Sequence, residues 1–218
     1  MDERETSPIM PHLEWEEEKP NDWFHAFWMV VKTSLTDPTT FFIHVREGRG
    51  ILRPWLYAFI LSFLAMFMTI AWQLGFHISS LGLMSRFASR FDIALPSFPT
   101  EVYSLTIPIS GALAPFVTAA LIHLFLMIVG GAKRTYIDTF RVVCYSSLPS
   151  VFGAIPLGGS VIAWIWMTVL HIIGIKEVHE TTTGKSVMAV FLLPMLICCL
   201  FLGVIGMIVA IVGFTFVR

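Results

Sequence analysis

Residues 134–159 read RTYIDTFRVVCYSSLPSVFGAIPLGG. Long apolar runs flank them, yet the stretch itself carries Asp138, Arg141, Tyr145, two adjacent serines and two prolines. Between Arg141 and Pro156 lie fourteen residues, about 21 Å of α-helix, which is less than the ~30 Å of a bilayer's hydrocarbon. The run after it, VIAWIWMTVLHIIGI over 161–175, is short in the same way, and the joint IPLGGS is tight and uncharged. The two segments read as an antiparallel hairpin, spanning or re-entrant, with both ends on one side of the membrane.

Composition requires the membrane. Of 218 residues, 56% are hydrophobic and only 13% charged, and the mean hydropathy is +0.77. A soluble domain keeps roughly a quarter of its residues charged, so too little polar material is present to coat a water-facing globule. The net charge of -1, with no dense basic stretch, argues against nucleic acid as a partner. The opening residues MDERETSPIM are charged and polar where a secretory signal would be apolar, so no signal peptide is expected. Cys144, Cys198 and Cys199 all sit inside apolar runs and read as small core residues.

Working outward, the fold class expected is all-α: a polytopic integral membrane helical bundle with five transmembrane helices, the third and fourth being the short hairpin. Residues 1–22 form an acidic, proline-rich, cytosol-facing tail, disordered or serving as a docking segment. Its run Glu16-Glu17-Glu18 lacks an arginine or histidine at helical spacing and reads as solvated. Residues 23–53 form an amphipathic interfacial arm. Trp23, Phe27, Val30 and Val31 recur there opposite His25 and Lys32, and Asp37-Pro38 opens a second short helix. Residues 54–218 hold the bundle. The first span is 54–76 and the second about 107–129, with Pro108 and Pro115 inside it. A third interfacial helix is expected around Met84, Phe87 and Phe91, and the last span runs from about Val187 to Val217. Eleven of the fourteen lysines and arginines fall on the side that holds the N-terminus. The N-terminus is therefore expected in the cytoplasm and the C-terminus outside.

The stretch quoted above, followed by a short apolar helix and GIKEVH, resembles the Yip domain family (Ypt-interacting proteins), especially its bacterial branch. The residues that carry the resemblance are Gly130, Gly131, Thr139, Phe140, Tyr145, Pro149, Pro156, Gly158, Gly159 and Gly174. The arm pattern Trp23, Phe27, Asp37, Pro38, Phe41 and Phe42 adds to them. The resemblance covers 23–215 and implies five spans with a cytoplasmic N-terminus. For eukaryotic members it implies links to Rab-type GTPases; for bacterial members it implies no particular chemistry.

No G-x-S-x-G, H-E-x-x-H, phosphate-binding glycine loop or C-x-x-C occurs, so the chain does not read as an enzyme. What remains is a polar layer near the cytoplasmic boundary: His123, Asp138, Arg141, Tyr145, Ser147 and His171. Such groups at membrane depth are costly unless paired or facing a cavity. The favoured pairing is Asp138 with Arg141, at i and i+3. A metal site, zinc or a similar divalent ion, would draw on His123, His171, Glu177 and His179; otherwise no cofactor is expected. A transport path beside Pro149 would be lined by Tyr145, Ser146 and Ser147. The leading expectation is a non-enzymatic, membrane-organising protein of the inner (plasma) membrane. Its partners are the lipid bilayer and proteins held by the arm and cytoplasmic loops, with homo-oligomerisation left open. The alternative is a small transporter, channel or lipid-moving protein, and third comes a metal-binding intramembrane protein.

Overall fold

Asp22 starts the first helix as its N-cap, its carboxylate accepting the Phe24 and His25 amides at 3.0 and 3.1 Å. The computed structural model describes residues 15–16, 22–76, 86, 89–90, 100–155, 158–192, 195–196, 198–200, 202–203 and 206. Helix α1 is Trp23–Thr36. Asp37 ends it and caps α2, Pro38–Val45, by accepting the Thr40 amide at 3.1 Å, with Pro38 in the first turn. The arm is thus two short helices. Ala26, Val30, Val31 and Ser34 of α1 face inward, while Phe24 and Trp28, one turn apart, are exposed.

Two long apolar helices follow, α3 (Leu52–Phe76) and α4 (Thr100–Ile128). They pack together along a face of small residues. A Cβ on Gly111 would lie 2.2 Å from the Ser62 Cβ, so only glycine permits this crossing. Pro108 and Pro115 sit inside α4. A proline removes one ladder bond and crowds the turn before it. Close to that turn the Ala112 carbonyl accepts the Trp55 Nε1–H at 2.9 Å.

The quoted stretch folds as α5, Tyr136–Tyr145, then a 3₁₀ helix, Leu148–Ala154. Next come α6, Gly159–Val178, and α7, Thr183–Val187, which runs into a π turn at Met188–Leu192. Short as it is, α5 is the centre of the bundle. It packs against α2, α3, α4 and α6, and every residue from Thr139 to Tyr145 is buried.

The hairpin is present, but its legs are unequal. Added Cβ atoms would put Gly174 within 2.5 Å of Val142 Cγ1, and Gly159 within 2.1 Å of the Phe152 carbonyl oxygen. Val142 is therefore level with Gly174, and Phe152 with Gly159, which makes the legs antiparallel. The fifteen residues between the glycines of α6 cover about 22 Å, whereas ten residues of continuous α-helix would cover only ~15 Å. The 3₁₀ stretch, rising about 2.0 Å per residue, narrows the difference.

Among the described residues three helices are long and apolar enough to cross a membrane: Leu52–Trp72, Thr106–Ile128 and Gly159–Val178. The expected five spans are thus not established. The third is a broken half-helix, and the fourth, expected short, has a full 20 residues. Most of the expected fifth span, and the interfacial helix sought around 84–91, lie outside the described residues. Cys144 is buried as expected; Cys198 and Cys199, placed in the core from sequence, are exposed on the apolar exterior.

The α3–α4 crossing is checked by a size swap. Gly111→Ala lowers the melting stability in detergent by roughly 1–3 kcal/mol, the cost of overpacking. Adding Ser62→Gly makes room for the methyl group and recovers at least half of that loss. A double variant no better than Gly111→Ala would refute the crossing.

Candidate functional site

The polar layer resolves into three separate groups. The first is built on Arg141 and Tyr145, one turn apart on α5 and both facing the arm. The Arg141 side chain is 1% exposed. Its Nη2 donates to both carboxylate oxygens of Glu16, at 2.7 and 2.8 Å, and to the Val45 carbonyl at 2.9 Å. Its Nη1 donates to the Gly50 carbonyl at 3.1 Å. The Tyr145 hydroxyl donates to Glu16 Oε1 at 2.6 Å. A single guanidinium therefore joins α5, the end of α2, the loop before α3 and the N-terminal tail. Gly48 lets them meet: a Cβ there would stand 1.8 Å from Arg141 Nη2 and 2.1 Å from Glu16 Oε2.

Trp15 anchors the acid from the other side. It is fully buried, donates from Nε1 to the Arg53 carbonyl at 3.2 Å, and lies under the Arg53 guanidinium at 5.7 Å. The rings of Trp23 and Phe27 close on it at 5.5 Å each, and Tyr57 at 6.4 Å.

Two expectations are corrected by this geometry. Asp138 does not pair with Arg141: its Oδ2 accepts the Thr135 amide at 3.0 Å and the Thr135 hydroxyl at 2.8 Å. At N3 of α5 it serves the helix start, where a negative charge meets unsatisfied N–H groups. Glu16 is not a solvated acid either, because Arg141 and Tyr145 hold it with its side chain 10% exposed.

The second group joins His123 of α4 to His179, the C-cap of α6, through Thr139 of α5. The Arg134 amide donates to His179 Nδ1 at 3.2 Å, which leaves the ring proton on Nε2. That N–H donates to Thr139 Oγ1 at 2.9 Å, and the Thr139 hydroxyl, turned on, donates to His123 Nδ1 at 2.8 Å. Burial pushes the His179 imidazole down to about 4; His123 and Arg134 act the same way, and Asp138 opposes them.

The third group is His171, two turns before His179 on α6, beside Ser147. Its Nε2 is enclosed and has no hydrogen-bond partner. Of the four residues considered for a metal, only His123 and His179 come together, with ring centroids 5.8 Å apart. Glu177 is bonded to Lys176 at 2.6 Å. Among the described residues no three His, Cys, Asp or Glu side chains converge as a metal site.

The glycines singled out in the sequence mark turns and crossings. Gly130 and Gly158 have positive φ angles of 63° and 123°. The Gly131 amide closes the end of α4 on the Leu126 carbonyl at 2.8 Å. Pro149 sits in the first turn of the 3₁₀ helix, and Pro156 lies outside the described residues.

The model of the Yip1 domain family matches residues 32–214, most of the chain. The chain belongs to the Yip1 domain family. No curated protein and no solved structure matches it. Together with the three apolar helices, the match makes it a membrane protein. Arg141 and Tyr145 lie inside the matched Yip1 region, while Trp15 and Glu16 lie before it. The clip thus joins the Yip1 domain to a segment outside it. Sequence reasoning missed both tail residues; the one signal was a lone tryptophan in an otherwise polar, acidic stretch, a large apolar surface in need of cover.

Breaking the clip from one side should leave a buried charge unpaired. Glu16→Gln lowers stability in detergent by roughly 3–5 kcal/mol, and Glu16→Ala with Arg141→Met recovers part of it. Asp138→Asn costs only about 1 kcal/mol, as a capping change does. The reverse order would restore the Asp138–Arg141 pairing.

The histidine pair gives a pH dependence. The unfolded chain protonates residue 179 near pH 6.5, and the folded chain only near 4. Its contribution is therefore complete above pH 6.5 and is lost as the pH falls toward 4. Melting curves across that window should fall more steeply for the unaltered protein than for His179→Gln; parallel curves would show that His179 is not held neutral.

Proposed function

We propose that this Yip1-domain protein is a non-enzymatic membrane organiser that holds protein partners through its N-terminal arm and uses the bundle as anchor. Its place is a bacterial inner membrane, with the arm in the cytoplasm. The observation that carries this reading is the Glu16–Arg141 clip, which ties the tail to the most buried helix of the bundle. A tail held in this way is presented in a fixed position rather than trailing from the membrane. The exposed pair Phe24 and Trp28 beside it suits the headgroup zone.

Apart from Ser146 and His171, the engaged state of the polar groups also favours a structural role over chemistry. Thr139 bridges the two histidines, Ser147 donates to the Cys144 carbonyl, and the Tyr145 hydroxyl is held by Glu16. No cofactor is needed for this function. The orientation rests on the excess of lysine and arginine on the side of the arm.

Two measurements on the full chain in its membrane test the reading. Trp15→Ala with Glu16→Gln should abolish the association of partners with the arm, read as loss of cross-links from a photoreactive residue at Trp28. His123→Ala should leave those cross-links in place. Single cysteines at Thr135 and Thr183 should label only from the cytoplasm. Cross-linking unchanged by the Trp15/Glu16 variant, or labelling of Thr183 from outside, would sink the proposal.

A further inference from the structure

His171 lines an open-sided cavity of about 210 Å³ between α3, α4, α5, the 3₁₀ helix and α6. A water takes up about 30 Å³ of liquid volume, so the space exceeds the needs of one bridging water. The ring is 7% exposed, and because its Nε2 is closed off even from the cavity, the nitrogen left to meet a guest is Nδ1.

The polar groups on the walls are neutral: the hydroxyls of Ser62, Ser110, Thr118, Ser147 and Ser150, with the imidazole. Ser62, Ser110 and Ser147 each donate their hydroxyl hydrogen to a carbonyl of their own chain segment, at 2.7, 2.7 and 2.6 Å. Toward the cavity those three offer lone pairs, while the Thr118 and Ser150 hydroxyls can both donate and accept. Gly111 is also on the wall, and its carbonyl has no ladder donor four residues on, because residue 115 is proline. The wall therefore supplies acceptors with two hydroxyls that can also donate, and the imidazole supplies one donor or acceptor, a set that matches a hydroxyl guest. No charged side chain lines the space, so an ionic guest would enter without a counter-charge.

His171, Met167 and Thr118 are shared with a second cavity of about 570 Å³, whose other walls include Leu121, Ile122, Trp164 and Phe191. A hydroxyl-lined chamber and an apolar one thus meet at one histidine. Ser110 and Ala114, on the wall of the first chamber, are exposed on the surface of a membrane-spanning helix, beside Ile109 and Leu113. The way in is from the lipid.

We propose that this paired cavity binds a neutral lipid with a hydroxyl head, of the acylglycerol type. The head donates to the serine and Gly111 oxygens and bonds to His171, and the chain fills the apolar chamber. The same hydroxyl chemistry could come from a free polyol such as glycerol, and the test separates the two sources.

The protein in nanodiscs is irradiated with a photoreactive diacylglycerol, and the labelled peptides are mapped. Labelling should concentrate on α3, α4 and α6 around Ser62, Gly111 and His171. Unlabelled diacylglycerol should compete, while phosphatidylglycerol should not. His171→Phe, which keeps a ring of similar size but removes its nitrogens, should weaken binding about tenfold, equivalent to ~1.4 kcal/mol. His171→Gln, which keeps a donor and an acceptor, should retain most of it, and that variant guards against a folding defect in the first. Competition by glycerol alone would support the site with a free polyol as its guest. Labelling competed equally by any phospholipid, or unchanged in His171→Phe, would overturn the proposal, as would a cavity that neither hydroxyl compound competes for and that holds water alone.

Discussion

The structure depends on what it takes to keep the Arg141 guanidinium out of water. A charge buried to this degree persists only with an opposite charge and with acceptors for its N–H groups. Glu16, Val45 and Gly50 supply these to Nη1 and Nη2 from three different parts of the chain, and only Nε is left without an acceptor. Such a pair adds little net stability over well-packed apolar residues. What it fixes is arrangement: shifting the α2 end, the 48–50 loop or the tail strands a buried charge. Gly48 makes the same point sterically, since any side chain there would occupy the position of the ion pair.

The helical part of the fold was legible because apolar runs and caps are local signals. Asp37 and Pro38 start their helix where the sequence places them, and the hairpin forms about the uncharged joint. The hairpin's dimensions were less legible. Its first leg breaks into α and 3₁₀ segments at Ser146–Ser147, whereas α6 runs on through Glu177 to a full crossing, because charged residues at a helix end can reach the interface.

The candidate site was legible as a layer but not in its pairings. Spacing alone matched Arg141 with Asp138, yet Asp138 stands at the third position of its helix, where free amides claim it first. The true partner lies 125 residues away in sequence, and no periodicity links an acid in a polar tail to a base in a buried helix. His123 and His179 were placed at one depth and do meet, but through Thr139, whose hydroxyl turns two costly imidazoles into one satisfied chain. His171 shares their helix layer in sequence and none of their bonds in space.

The unequal legs of the hairpin bear on how the protein enters the membrane. A segment is recognised for insertion by its own length of unbroken apolar helix. Residues 136–155 offer a ten-residue α-helix carrying a buried arginine, then a 3₁₀ stretch. Irregular backbone at membrane depth is tolerated only when neighbouring protein shields it. By itself the first leg is therefore a poor passenger for the translocation machinery. The earlier helices α3 and α4 give the leg part of its cover, and α6, completed some twenty residues further on, gives the rest, so the two legs enter as a pair. The last step of assembly is then the closing of the tail over Arg141, with the first-made residues taking their places after the hairpin is in.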